Sequence, residues 1–312
     1  SDYFDIVNDV NTLNAYRGDT PLQDTRSLLQ SGRVNFVLTI PSGFSKAWVR
    51  GEKPSLLLEA DATDPAAAAM AVAQIKPIVD RTLADIQIGS LDYLKPKPSS
   101  ITTLVHNKYN PEGISQFNIV PGLLGVILTM TMVMITSIAM TREAERGTME
   151  NLLAMPSKPL EVMIGKITPY VLMGLVQTMI ILLASNMLFH LPFVGSGSTF
   201  GLGVGLFILV NLAIGFTFST IAKSQMQAMQ LTFFFFLPSM LLSGFMFPFQ
   251  GMPKWAQYLG EILPLTHFLR IVRGIMLKGT SLSLLSNEFL ALLAILIIVG
   301  IIAMLRYRQT LD

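Results

Sequence analysis

Phe117–Met140 reads FNIVPGLLGVILTMTMVMITSIAM and holds no charged side chain. Thr141–Glu161, TREAERGTMENLLAMPSKPLE, follows it at once with both signs of charge interleaved. An apolar run of about 20 residues is the length a helix needs to cross the hydrocarbon core of a bilayer. The abrupt change of character at Thr141 marks the point where the chain leaves lipid for water. Four further runs have the same quality: Ile167–Phe189, Phe200–Ala222, Ala228–Phe247 and Phe289–Leu305. The sequence therefore predicts an α-helical integral membrane protein with five spans.

Composition agrees. Of 312 residues, 51% are hydrophobic and 13% charged, whereas a soluble domain is about 25% charged. That excludes a disordered chain and disfavours an ordinary soluble enzyme. The net charge of +2 gives no reason to expect a nucleic-acid partner. Cysteine is absent, which removes disulfides, thiolate metal sites and thiol catalysis. The 18 methionines and 19 phenylalanines suit an adaptable apolar interior.

A sixth stretch, Trp255–Leu277, carries Glu261, Pro264, His267, Arg270 and Arg273. A charge at the centre of a lipid-facing helix costs about 2.5–3.5 kcal/mol. A short helical hairpin that dips into the membrane and returns, over about 252–278, fits better than a sixth span, because its polar groups can face protein or water. Loop charges set the topology. Arg142, Arg146, Lys158 and Lys166 separate the first two spans, Lys223 follows the third, and Arg306 and Arg308 follow the last, while Leu191–Thr199 is uncharged. The positive-inside rule places the charged loops in the cytoplasm. Lys254, Arg270, Arg273 and Lys278 run against it, but belong to the irregular element.

Residues 1–112 are more polar and end at the turn-forming Tyr109–Gly113. Residues 113–312 form the membrane domain. In the first part, Val34–Ile40 and Leu56–Glu59 read as strands, Ser42–Val49 as a short helix, and Tyr3–Val7 as strand-like. Asp64 and Pro65 read as N-cap and first position of a helix reaching about Ile88. The alternation predicts a small α/β extracytoplasmic domain. An outward-facing start calls for a tether, so the natural chain is expected to begin before Ser1 with an additional span.

Catalytic signatures are missing. Gly165-Lys166 lacks the upstream glycine of a phosphate loop, and His106, His190 and His267 are scattered without metal-ligand spacing. Gly201, Gly203 and Gly205 lie within a span and read as helix-packing positions. Gln177, Asn186, Asn211 and Gln230 read as interhelical hydrogen-bonding groups. In the cytoplasmic stretch, about 141–160, Arg142, Glu143, Glu145, Arg146 and Glu150 interleave at helical spacing. Gly147 interrupts, Thr148 can cap the next turn, and Met149, Leu152 and Leu153 form an apolar stripe. On composition alone this is either an amphipathic helix lying on the headgroups or a docking helix for a cytoplasmic partner.

Glu143-x-Glu145-Arg146-Gly147-Thr148-Met149-Glu150-x-Leu152-Leu153 resembles the cytoplasmic motif of ABC-2 type transporter permeases, the membrane subunits of bacterial ABC exporters of the drug-efflux kind. Asn107-x-x-Asn110-Pro111-Glu112 followed by Phe117-x-x-Val120-Pro121-Gly122 is similar to that family. So are Met252-Pro253, Pro264-Leu265-Thr266-His267-Phe268 and Arg273-Gly274-Ile275. The resemblance implies six spans in the full family, an extracytoplasmic domain between the first and second, and two re-entrant helices before the last. It implies a multi-pass protein of the bacterial inner membrane that is not itself an enzyme and holds no cofactor or metal. ATP and magnesium would sit on a cytoplasmic ABC ATPase present in two copies. A second permease, identical or paralogous, membrane lipid and a periplasmic adaptor are the other implied partners. The substrate class implied is a hydrophobic or amphipathic drug or lipid-like molecule. Residues 142–153 would be the coupling element, and Glu261, Pro264, His267, Arg270 and Arg273 would line the exit path or fix the hairpin by pairing. The competing reading is a membrane-anchored sensor or scaffold whose outer domain binds a ligand or an envelope partner.

The topology has a direct test, since a chain without cysteine accepts single reporters. Asp61→Cys should react with a membrane-impermeant thiol reagent added to intact cells, and Glu145→Cys should not. The opposite pattern would invert the topology.

Overall fold

The computed structural model describes residues 22–32, 34–41, 43–50, 52, 54–70, 72–73, 77, 102–146 and 159–309. They divide into two compact units, with the division at Ser115/Gln116.

The first unit contains α1 (Leu22–Gln30), β1 (Phe36–Thr39), α2 (Phe44–Val49), β2 (Ser55–Asp61) and β3 (Thr102–Lys108). The sheet order is β1-β2-β3, antiparallel between β1 and β2 and parallel between β2 and β3. β2 alternates along its length. Leu56, Leu58 and Ala60 are buried, and the residues between them are half-buried, as the two-residue period of a strand requires. Leu56 packs with Phe44, Leu38 and Ile40. Asp64 Oδ1 accepts the N–H groups of Ala66 and Ala67, both at 3.1 Å, so the helix read from Asp64-Pro65 starts there; residues 65–70 are helical. Tyr3–Val7, and most of that helix beyond residue 70, lie outside the described residues. Two elements went unread in the sequence. They are α1 and β3, whose TTLVHNK lacks an apolar run. The turn after β3 is closed by Asn110. Its side chain donates to Ile114 O at 2.9 Å and accepts Ile114 N–H at 3.0 Å. Beside it, burial of the ring, reinforced by Asp61, pushes the Tyr109 phenol up to about 12.

The second unit is helical: α3 (Ser115–Glu145), α4 (Pro159–Phe189), α5 (Gly197–Ile221), α6 (Gln225–Leu242), α7 (Lys254–Ile262), α8 (Pro264–Lys278) and α9 (Ser286–Gln309). Among the described residues four helices are long and apolar enough to cross a membrane: Ser115–Glu143, Gly165–Phe189, Gly197–Ile221 and Ser286–Arg306. The fifth expected span, Ala228–Phe247, is shorter than the sequence suggested. α6 has 18 residues, about 27 Å at 1.5 Å per residue. Its early turns carry Gln225, Gln227 and Gln230, and the chain turns out of the helix at Gly244, whose φ is +85°.

α5 is the hub. It packs against α4, α6, α8 and α9 and is buried along most of its length. Helices without a hydrophobic driving force between them pack through small residues and close backbone approach, and α5 does so twice. A Cβ on Gly215 would lie 2.7 Å from the Val133 carbonyl oxygen of α3. One on Gly203 would lie 2.9 Å from Ile271 of α8 and 3.5 Å from Phe289 of α9. Gly201 and Gly205 have open space at that position, so the packing reading applies to Gly203 alone. The Phe207 and Phe268 rings stack with centroids 3.9 Å apart. Val210 and Ile214 cluster with Ile295, Leu296 and Val299, and Phe216 with Met140 and Ala303. α3, α5 and α9 therefore start at one end of the bundle and run side by side. α4 and α6 return.

The tightest of these contacts has a measurable consequence. Gly215→Val would drive a branched side chain into the α3 backbone, and overpacking of this kind costs about 1–3 kcal/mol. The detergent-solubilised variant should unfold at lower temperature than wild type, whereas Gly201→Ala, with open space at its Cβ, should not.

Candidate functional site

Both ends of the bundle carry polar groups tied together by hydrogen bonds. At the end where α5 and α9 begin lie α7 and α8. Pro264 takes the first position of α8, where its missing N–H costs nothing. It separates the two short helices read in the sequence as one hairpin. Thr266 Oγ1 donates to Gly260 O at 2.6 Å across that joint. At nine and 15 residues, neither is among the helices long and apolar enough to cross a membrane. The last turn of α8 receives Val194 N–H from the α4–α5 loop on Met276 O, 3.1 Å, and its first turns are held to the start of α9.

That second attachment is ionic. His267 is 6% exposed. Its Nε2 is 2.9 Å from the Glu261 carbonyl and its Nδ1 2.6 Å from Glu288 Oε2. A carbonyl only accepts, so Nε2 carries a hydrogen, and a proton must also lie between Nδ1 and the carboxylate. Arg270 spans the same group. Its guanidinium donates to both oxygens of Glu261, at 2.5 and 3.1 Å, and to Glu288 Oε1 at 3.3 Å, and it lies over the Phe249 ring, 4.7 Å from the centroid. Arg273 reaches elsewhere. It donates to Asn118 Oδ1 of α3 at 2.7 Å and to the Gly244 carbonyl after α6 at 3.1 Å. Of the sequence-derived residues, Glu261, His267 and Arg270 come together, Pro264 shapes their backbone, and Arg273 forms a separate link. Glu288 and Asn118 were missed. An acid in the first turn of an apolar helix reads only as a dipole-favoured end, and nothing in Asn118 announces its partner.

At the opposite end, the last turn of α3 is tied down twice. Glu143 pairs with Lys166 of α4. Glu145 accepts Gln225 N–H at 2.8 Å and Gln225 Nε2 at 2.5 Å, which couples α3 to the first turn of α6. The Gln225 hydrogen bonds hold the Glu145 carboxyl below the usual carboxylate range. A carboxylate with a lowered value is engaged at neutral pH and gives up the contact only as pH falls through that lowered value. Arg142 and Arg146 are exposed. Gly147, Thr148, Met149, Glu150, Leu152 and Leu153 lie outside the described residues. Within the spans, Thr131 Oγ1 lies 2.9 Å from Gln177 Oε1, joining α3 to α4, and Asn211 bonds back to Phe207 O of its own helix at 2.9 Å.

Glu288→Leu would leave buried His267 without its Nδ1 partner, a loss of about 1–3 kcal/mol. It should lower the unfolding temperature in detergent, and Glu288→Gln, which keeps an acceptor oxygen, should recover part of the difference. Equal loss in both variants would mean that the hydrogen bond contributes nothing.

A family model described as ABC-2 family transporter protein matches residues 3–305. The chain is 30% identical over 287 residues to the probable multidrug ABC transporter permease YbhR of Escherichia coli strain K12, an alignment covering 92% of this chain and 77% of the relative. It is 31% identical over 291 residues to the inner membrane transport permease YhhJ of the same strain, covering 91% and 75%. A more distant relative is ABC transporter G family member 20 of Dictyostelium discoideum, 27% identical over 215 residues, 67% of this chain and 29% of that one. No solved structure matches. With the match running through both units, and with long apolar helices joined by a charged segment after α3, the chain belongs to the ABC-2 family of transporter proteins and is a multi-pass membrane permease.

Proposed function

We propose that the chain is the membrane subunit of an ATP-driven ABC exporter, moving a hydrophobic or amphipathic substrate, drug or lipid-like, out of the cytoplasm or the inner leaflet. The energy comes from ATP and magnesium on a separate cytoplasmic ABC ATPase, two copies of which serve a pair of permeases. The membrane is the bacterial inner membrane, with the unit before α3 and the α7–α8 pair on the outer side. Charge supports that orientation. Arg142, Arg146, Lys166, Lys223 and Arg306 gather where α3 and α9 end. At the other end, Arg270 is taken up by Glu261 and Glu288.

The observation that carries the reading is the double tie at the foot of α3. A permease must take force from a soluble ATPase through a surface exposed to the cytoplasm. By its length in the sequence, the stretch 141–166 is long enough for the roughly 800 Å² per partner of an ordinary interface. Because Glu143 holds Lys166 and Glu145 holds Gln225, a displacement of that segment moves α3, α4 and α6 together. Alternation between inward- and outward-open arrangements then follows nucleotide state. Glu261, His267, Arg270 and Arg273 hold the outer end closed in the inward arrangement.

Arg146 is exposed at the last described turn before the coupling segment. Arg146→Glu should insert and fold normally yet lose ATPase co-purification, or hydrolyse ATP without export. Normal ATPase binding and transport in that variant would refute the docking assignment and leave 141–160 as a helix resting on headgroups.

A further inference from the structure

We propose that α7 is an interfacial anchor, with Trp255, Tyr258, Leu259 and Ile262 seated in the headgroup and upper acyl layer of a phospholipid bilayer. The four fall at i, i+3, i+4 and i+7, one stripe of a helix. In most helices such a stripe is the buried one. Here it faces away from the protein: Trp255 is 64% exposed, Tyr258 73% and Ile262 68%. The opposite face is already occupied. Ala256 is buried, and a Cβ on Gly260 would lie 2.5 Å from the Leu242 carbonyl of α6. The polar side chains are accounted for within the protein. Gln257 Nε2 donates to Met252 O at 2.8 Å, and Glu261 binds Arg270. Lys254 stands exposed at the first position.

Three observations choose lipid as the occupant. Apolar side chains on the element before α7 are exposed as well: Phe234 and Leu237 on α6, then Met246 and Phe247 in the turn after it. α7 sits at an end of the bundle, beside the start of the α9 span, the depth at which tryptophan and tyrosine find an apolar body and a polar tip satisfied together. The face is also small. A helix of nine residues is about 13 Å long, too short to supply alone the roughly 800 Å² of a stable protein partner. The seat has a mechanical consequence, because α7 carries the Glu261 carboxylate and carbonyl that hold Arg270 and His267. Its depth in the membrane sets the position of α8. The inference depends on the membrane location and not on the transport reading.

The chain has two tryptophans, Trp48 and Trp255, so Trp48→Phe leaves a single reporter. The full chain carrying that substitution would be reconstituted into phosphatidylcholine vesicles containing lipids brominated either near the headgroup or near the bilayer midplane. Trp255 emission should be lost mostly to the shallow bromines and little to iodide in the water. A second variant, Trp48→Phe with Trp255→Phe and Tyr258→Trp, should give the same ranking. Greater loss to midplane bromines would mean that α7 dips into the core. Strong loss to iodide alone would mean a face in water. Insensitivity to both would mean a protein partner, such as a second copy. Each of these three results overturns the proposal.

Discussion

The close passage of α5 against α3 and α9 is the constraint on which the rest of the second unit rests. Lipid offers no hydrophobic gain for bringing two apolar helices together, so association depends on contact at short range. Gly215 against the Val133 carbonyl and Gly203 against Ile271 and Phe289 supply that contact. Once α5 is fixed between those helices, the start of α9 is brought to α8, and the Phe207–Phe268 stack holds α8 against α5. The polar cluster at the α7–α8 end exists because α8 and α9, consecutive in the chain, are held at that spacing.

Each end of the bundle solves a different electrostatic problem. At the α7–α8 end, Glu261, His267, Arg270 and Glu288 form one cluster, and each has a partner of opposite sign or a carbonyl. His267 with Glu288, and Arg270 with Glu261, share the cost of leaving bulk water. At the other end Glu145 is exposed, and its tie is of a looser kind. Glu145 meets Gln225 through an exposed pair of hydrogen bonds, which hold geometry without the desolvation of a buried ion pair.

Much of this was legible in the residues. The uncharged run 117–140 required a helix through lipid whatever its neighbours were, because backbone polar groups in hydrocarbon must bond within the segment. Asp64-Pro65 announced a helix start, since a cap and a proline act on their own backbone. The charged residues in Trp255–Leu277 excluded a simple span, and the chain breaks at Pro264 into two short helices. β3 was not legible, because its pairing with β2 replaces the apolar run that would have marked it. Nor was the length of α6, whose end at Gly244 is a turn set by packing against Phe249.

By itself the sequence determined what each segment could tolerate: which stretches enter lipid, where helices start, where charge must stay wet, and the motif order that marks the family. These depend on interactions within a few residues or with solvent. Which groups meet was decided only by the tertiary structure. Glu288 with His267, Asn118 with Arg273, and Gln225 with Glu145 lie 21, 155 and 80 positions apart, and no local pattern encodes such distances. The packing of α5 brings them within hydrogen-bond reach, and that packing is a property of several helices at once. It also leaves the Trp255 stripe facing outward.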